Sequence, residues 1–244
     1  MDQVGKWQLV SRLGEGGNAR VWRARDEQGV EVAVKVLARR GTEAYGRFRQ
    51  EIHVLQGLGE RRGILPLLDS HLPEAPNVED PAWLAMPIAR GLAGYLSVED
   101  DLVSVVAAMA GIAATLAELS REGIAHRDIK PANLFWLDGE TAIGDFGLVD
   151  YPGKESLTVE CKKLGPRHYL APEMLFDPIG ALAAPADVYS LAKSLWVLST
   201  GQKFPPPGEQ RRDTPGVLLS SYVEHRRAHV LDALIEDATR HDPG

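Results

Sequence analysis

The chain has 244 residues, 44% of them hydrophobic and 25% charged, enough apolar material for one large domain or two small lobes. Twenty-seven basic against 34 acidic residues leave a formal charge of −7, which argues against a broad nucleic-acid or membrane-surface footprint. A single cysteine, Cys161, cannot form an internal disulfide, and the opening MDQVGKWQLV lacks the charged-then-apolar run of a signal peptide, so a cytoplasmic location is expected.

Residues 7–13, 20–25 and 30–37 alternate or cluster apolar and β-branched side chains at strand length, which predicts a three-stranded antiparallel meander. Gly14-Glu15-Gly16-Gly17-Asn18-Ala19 joins the first two strands and Asp26-Glu27-Gln28-Gly29 the next two. Residues 42–58 predict an amphipathic helix with Phe48, Ile52, Leu55 and Leu58 on one face. Residues 64–68 and 83–86 read as further strands, separated by a proline-rich surface loop over 71–81. After Arg90-Gly91 the pattern turns helical, with helices expected over 102–121, 185–200 and 228–240 and an irregular connection over 202–216. The run 102–119 comes nearest to a membrane span. It carries Ser104, Thr115 and Glu118 and falls short of the roughly twenty apolar residues needed, so a buried core helix is predicted. The expected division is a β-rich lobe over 1–87 and a helical lobe over 88–244.

Residues 124–149, IAHRDIKPANLFWLDGETAIGDFGLV, hold the densest chemistry. Residues 134–137 are strand-like, Asp138-Gly139 is a tight-turn signal, and 141–144 returns. Such a hairpin is expected to bring Asn133 and Asp145 to one cleft with Asp128. Two carboxylates and an amide oxygen are hard oxygen donors, suited to Mg²⁺.

Two features of the N-terminal half add to this. The glycine-rich run 14–19 lies between two strands, so it cannot be a Rossmann fingerprint or Walker loop, both of which open a helix. Glycines there allow backbone N–H groups to approach a polyphosphate, although taken alone the run is equally a flexible hairpin. Lys35 ends Val32-Ala33-Val34-Lys35 in a strand, and Glu51 follows in the helix of residues 42–58. A lone strand lysine usually faces solvent; paired with Glu51 it would be held over phosphates.

Together these runs resemble a protein kinase, and the matches fall in order over nearly the whole chain: the glycine loop, Ala33-Val34-Lys35, Glu51, His126-Arg127-Asp128, Asn133, Asp145-Phe146-Gly147, Ala171-Pro172-Glu173 and Asp187. The resemblance implies an α+β bilobal fold, with a small antiparallel β-rich lobe containing one key helix and a larger, mainly helical lobe. It implies a serine/threonine kinase, bacterial in style, that uses ATP and Mg²⁺, with Mn²⁺ as an alternative. Leu13, Gly14, Glu15, Gly16, Gly17, Asn18 and Ala19 would cover the phosphates, and Lys35, held by Glu51, would contact them. Val21 and Ala33 would roof the adenine pocket, Leu134 would floor it, Met86 would limit its depth, and Pro87-Ile88-Ala89 would form the hinge. Asn133 and Asp145 would hold the metal. Asp128 would orient the acceptor hydroxyl and take its proton, and Lys130 would neutralise the γ-phosphate, as in the serine/threonine type. His126 and Asp187 read as structural. The implied partner is a protein with a Ser/Thr acceptor, with no nucleic acid and no membrane segment; a homodimer is left open.

Arg127 resembles the arginine of kinases whose activation loop is ordered by phosphorylation, with Tyr151, Ser156 and Thr158 as candidate acceptors, including for the enzyme's own action. Three positions depart from the family pattern. Ala19 replaces a third glycine. Pro166, in Gly165-Pro166-Arg167-His168-Tyr169, replaces a threonine that touches the catalytic groups. His241-Asp242-Pro243-Gly244 stops short of the arginine that usually pairs with the residue corresponding to Glu173, so the chain reads as a fragment. A pseudokinase scaffold and a small-molecule kinase are the rival readings.

Overall fold

The computed structural model describes residues 2–16, 18–39, 41–96, 101–151, 168–176 and 183–240. Gly17, Ser156, Thr158, Gly165, Pro166, Arg167 and the segment 241–244 lie outside the described residues. The chain divides into two compact units, residues 1–90 with 144–148, and residues 91–143 with 149–244. The division falls three residues later than the expected 87/88, and the Asp145-Phe146-Gly147 run goes with the first unit.

The first unit is a six-stranded antiparallel sheet, in the order β1–β2–β3–β4–β6–β5, with one long helix. Its strands are β1 (Gln3–Val4), β2 (Trp7–Glu15), β3 (Ala19–Arg25), β4 (Glu31–Leu37), β5 (Asp69–His71) and β6 (Trp83–Met86). Helix α1 spans Thr42–Leu58 and stops at Gly59, whose φ of 62° suits a residue without a Cβ. Strand β4 is buried on both faces. Val32, Val34 and Val36 pack with Trp7, Ala24, Trp83 and Ala85, while Leu37 packs on the other side with Phe48 and Ile52 of α1. This double burial explains why residues 32–37 read as an almost unbroken apolar run. Burying each large side chain of this kind is worth roughly 1.5–3 kcal/mol.

One strand differs from expectation. Residues 64–68 do not form the edge strand; β5 lies just beyond, at Asp69–His71, paired with β6. Pro66 has no N–H to give a ladder, and Ile64 and Leu65 are instead spent as buried core. The Leu68 N–H still donates to Ala85 O at 2.8 Å and leads the chain into the strand.

The second unit is helical, with one hairpin. Its helices are α2 (Leu92–Tyr95), α3 (Leu102–Arg121), α4 (Pro172–Phe176), α5 (Ala183–Thr200) and α6 (Ala228–Ala238). Asp101 caps α3, its side chain accepting from Ser104 N at 2.9 Å. By length and composition α3 could cross a membrane, but it packs on α5 and the hairpin with Val105, Met109, Ile112 and Leu119 buried. The hairpin pairs Leu134–Leu137 with Glu140–Ile143 around Asp138-Gly139, where both residues have positive φ, 49° and 88°. That backbone is the mirror-image turn which Asp-Gly favours.

Candidate active site

In the first unit, strand register gathers most of the predicted nucleotide-binding residues on one face. Gly14 stands opposite Val21, Val21 opposite Lys35, and Ala33 opposite Met86. Residues two apart on a strand share a face, so Gly14, Val21, Ala33, Lys35 and Met86 all lie on the side that receives α1. Ile88, two residues beyond β6, is half-buried. Leu13 is different: it is the extra residue of a bulge between Arg12 and Gly14 and is 45% exposed.

The glycine-rich turn closes with the Gly16 N–H donating to Ala19 O at 2.9 Å, so that donor is already committed. Asn18 O accepts from Ala38 N at 2.8 Å and Arg39 N at 3.3 Å, which ties the turn to the end of β4. Glu15 bridges to Arg12 and Arg20 at the surface. Ala19 is buried against Leu37, so the methyl group that replaces a third glycine serves as core. A Cβ built at Gly14 would meet nothing within 4 Å, and one at Gly16 only Ala19 O at 3.8 Å. Internal packing therefore does not require glycine at either position, whereas the close approach of a polyphosphate does.

Lys35 links three elements. Its Nζ donates to both Glu51 carboxylate oxygens, at 2.8 and 2.7 Å, and to Asp145 Oδ1 at 3.1 Å. Glu51 faces β4 because it lies beside the Phe48–Ile52 stripe of α1 and is itself buried. Burial works against the Lys35 ammonium, but the Asp145 and Glu51 carboxylates outweigh it and hold its pKa above the ordinary lysine value. Burial also pushes the Glu51 carboxyl up, to about 7, against the pull of Lys35. The two shifts pull in opposite senses for an ion pair. Contact of the ammonium with both oxygens requires acceptors only, which favours the ionised pair. Asp145 has a left-handed backbone, φ 64°, and a side chain 45% exposed.

The second unit holds the other set. Lys130 Nζ lies 2.6 Å from Asp128 Oδ2, and Asn133 Nδ2 donates to the same oxygen at 3.0 Å and to Asp128 O at 2.8 Å. A single 3₁₀ turn, Pro131–Asn133, brings Asn133 back onto Asp128. With its nitrogen end committed twice to Asp128, the Asn133 amide has its oxygen end as a donor for a hard cation. Leu134 follows, fully buried. Among the described residues no group of three His, Cys, Asp or Glu is placed to hold a metal ion.

Beneath this loop, Asp187 accepts from His126 N and Arg127 N, both at 2.7 Å, from its place on α5. Burial pushes its carboxyl up although His126 and Arg127 pull it down. His126 is fully buried, and its Nδ1 accepts from Asp128 N at 3.2 Å. Both act structurally, as expected. One acid that the sequence reading passed over also belongs here. Asp150 Oδ2 lies 2.6 Å from Arg127 Nη2, and Asp150 makes a two-bond backbone bridge with Ala125. The only signal was its place, three residues after Gly147.

The model of the protein kinase domain matches residues 7–225. The chain belongs to the protein kinase family. Relatives support the bacterial serine/threonine branch that the sequence pointed to. The chain is 35% identical over 205 residues to the DNA damage-responsive serine/threonine-protein kinase RqkA of Deinococcus radiodurans, covering 81% of this chain and 30% of the relative. It is 30% identical over 204 residues to the serine/threonine-protein kinase PknL of Mycobacterium tuberculosis, covering 80% of this chain and 49% of the relative. It is 26% identical over 212 residues to the serine/threonine-protein kinase AfsK of Streptomyces griseus, at 82% and 25%. The chain thus spans about a quarter to a half of the length of these relatives. Membership brings with it the use of ATP and a divalent metal, and it supports the α+β kinase fold of a β-rich and a helical unit.

Proposed function

We propose that this domain transfers the γ-phosphate of ATP to serine and threonine hydroxyls of proteins, its own activation segment included, with Mg²⁺ as the working metal. The observation that carries this reading is the Asp128 carboxylate fixed by Lys130 at 2.6 Å and Asn133 at 3.0 Å. Phosphoryl transfer asks for an acceptor-orienting carboxylate, a cation for the γ-phosphate and a metal ligand, and here they sit on one short loop. Asp128 orients the hydroxyl and takes its proton, and Lys130 neutralises charge on the moving phosphoryl group. In the first unit, Lys35 steadied by Glu51 meets the α- and β-phosphates, backbone of residues 14–19 covers them, and Met86 and Ile88 border the adenine. Asp145 and Asn133 are the metal ligands; Mg²⁺ supplies neutralisation of the phosphate oxygens when bound. That RqkA, PknL and AfsK are serine/threonine-protein kinases supports Ser/Thr acceptors.

The test is transfer from labelled ATP with Mg²⁺ to a generic protein substrate, with Asp128→Asn as control. Loss of roughly 10²- to 10⁴-fold in rate is expected for the variant, the range typical of removing a general base. Peptide mass spectrometry of the same reaction locates any label on Tyr151, Ser156 or Thr158. Wild type that binds ATP, seen as a raised melting temperature, yet labels nothing would replace this reading with a scaffold.

A further inference from the structure

Arg127 occupies a backbone conformation that residues with a Cβ rarely adopt, φ 63°, immediately before Asp128. Such a backbone persists only where its surroundings over-determine it. Two acids do so from opposite ends of the residue. Asp187 accepts the backbone N–H groups of His126 and Arg127, each at 2.7 Å. Asp150 takes the guanidinium, Nη2 to Oδ2 at 2.6 Å, with the Arg127 side chain only 13% exposed. Asp150 is itself fixed: its N–H donates to Ala125 O at 2.8 Å and its carbonyl accepts from Ala125 N at 2.9 Å. The chain on both sides of Arg127 and the chain after Val149 are therefore knitted into one unit by groups of this chain alone.

We propose that Asp150 is a positioning residue for the transfer reaction: its carboxylate is the built-in counter-ion of Arg127 and holds the Asp128 turn in working geometry with no phosphate added to the activation segment. Phosphorylation orders such a segment by giving an arginine an anionic partner. Here the anion is encoded: the Asp150 carboxylate, partly exposed, gives the largely buried guanidinium a charge-assisted contact of the kind a phosphate would supply. Phosphates on Ser156 or Thr158 then modify the enzyme without being its switch. This rests on the phosphotransfer proposed above.

The experiment compares wild type, Asp150→Asn, Asp150→Glu and Ser156→Ala/Thr158→Ala, each treated with a phosphatase active on Ser, Thr and Tyr. Dephosphorylated wild type and the double variant are expected to keep kcat within about twofold of untreated enzyme. Asp150→Asn should lower kcat by about 10- to 100-fold with the KM for ATP within about twofold. Asp150→Glu should restore most of the loss, which a merely volume-filling role would not. Hydrogen exchange of peptides over 124–133 gives a second readout free of activity: faster exchange in Asp150→Asn, unchanged in dephosphorylated wild type. Equal kcat and exchange in Asp150→Asn and wild type would overturn the inference. So would a dephosphorylated wild type as slow as Asp150→Asn. Absence of transfer in untreated wild type strikes the functional proposal instead, and the exchange comparison still decides the clamp.

Discussion

The Lys35 ammonium meets both carboxylate oxygens of Glu51, at 2.8 and 2.7 Å, joining β4 to α1 inside the first unit. Removing one member of a buried pair strands the other charge, so the two residues act as one element. Lys35→Met is expected to lower kcat by about 10²- to 10³-fold, the usual cost of losing one electrostatic donor. Glu51→Gln should fall in the same range, and Lys35→Met/Glu51→Gln should be little worse than either single variant. Steady-state kinetics on the three proteins checks this; additive losses would contradict it.

Metal dependence is the second expectation. Asn133 is oriented by its two bonds to Asp128 and offers its oxygen outward from them. Asn133→Ala should raise the Mg²⁺ concentration at half-maximal rate about 10- to 100-fold, by the scale seen when groups around a metal are lost. Saturating Mg²⁺ should recover much of the rate. A Mg²⁺ titration indistinguishable from wild type would remove Asn133 from the metal site.

Helix α3 carries Gly111 in an alanine-rich run where alanine would favour the helix by about 1 kcal/mol. The structure gives the reason for glycine: a Cβ there would run into Thr141 Oγ1 of the hairpin. Thr141 is buried and β-branched, so it has little room to turn. Gly111→Ala should therefore destabilise the protein by about 1–3 kcal/mol despite its better propensity. Adding Thr141→Ala should return much of that loss. Urea unfolding midpoints of the single and double variants decide the matter.

Lys193 sets a pH dependence. It is fully buried on α5, with Nζ donating to Pro206 O at 2.9 Å and to Gly208 O, and burial pushes its ammonium down to about 7. Unfolded, the side chain regains the ordinary value near 10.5. Between these values the unfolded chain binds the proton that the folded one has released, so stability rises with pH, by up to about 1.4 kcal/mol per unit. Glu51 and Tyr189 shift in windows below about 7 and above about 10, outside this range. Unfolding free energies from pH 7.5 to 9.5 should climb in wild type and run flat in Lys193→Met. Parallel profiles would show that Lys193 stays protonated throughout.

What the sequence determined by itself was the part of the molecule governed by local rules. Apolar spacing placed α1 over Thr42–Leu58 and α3 over Leu102–Arg121, and Asp138-Gly139 specified a turn that only positive φ at both residues can make. The kinase motifs were legible for the same reason: phosphoryl transfer needs particular residue types at near-fixed spacing along the chain. Tertiary structure decided what each charge meets. The kinase pattern gave Lys35 the partner Glu51, but nothing near Lys35 in the chain adds Asp145, and nothing near Arg127 chooses Asp150, 23 positions on. It also moved the edge strand from residues 64–68 to Asp69–His71, because Ile64 and Leu65 are worth more as core than as a ladder that Pro66 interrupts. Periodicity reports which face of an element is apolar; which distant group meets a given side chain depends on how those faces pack.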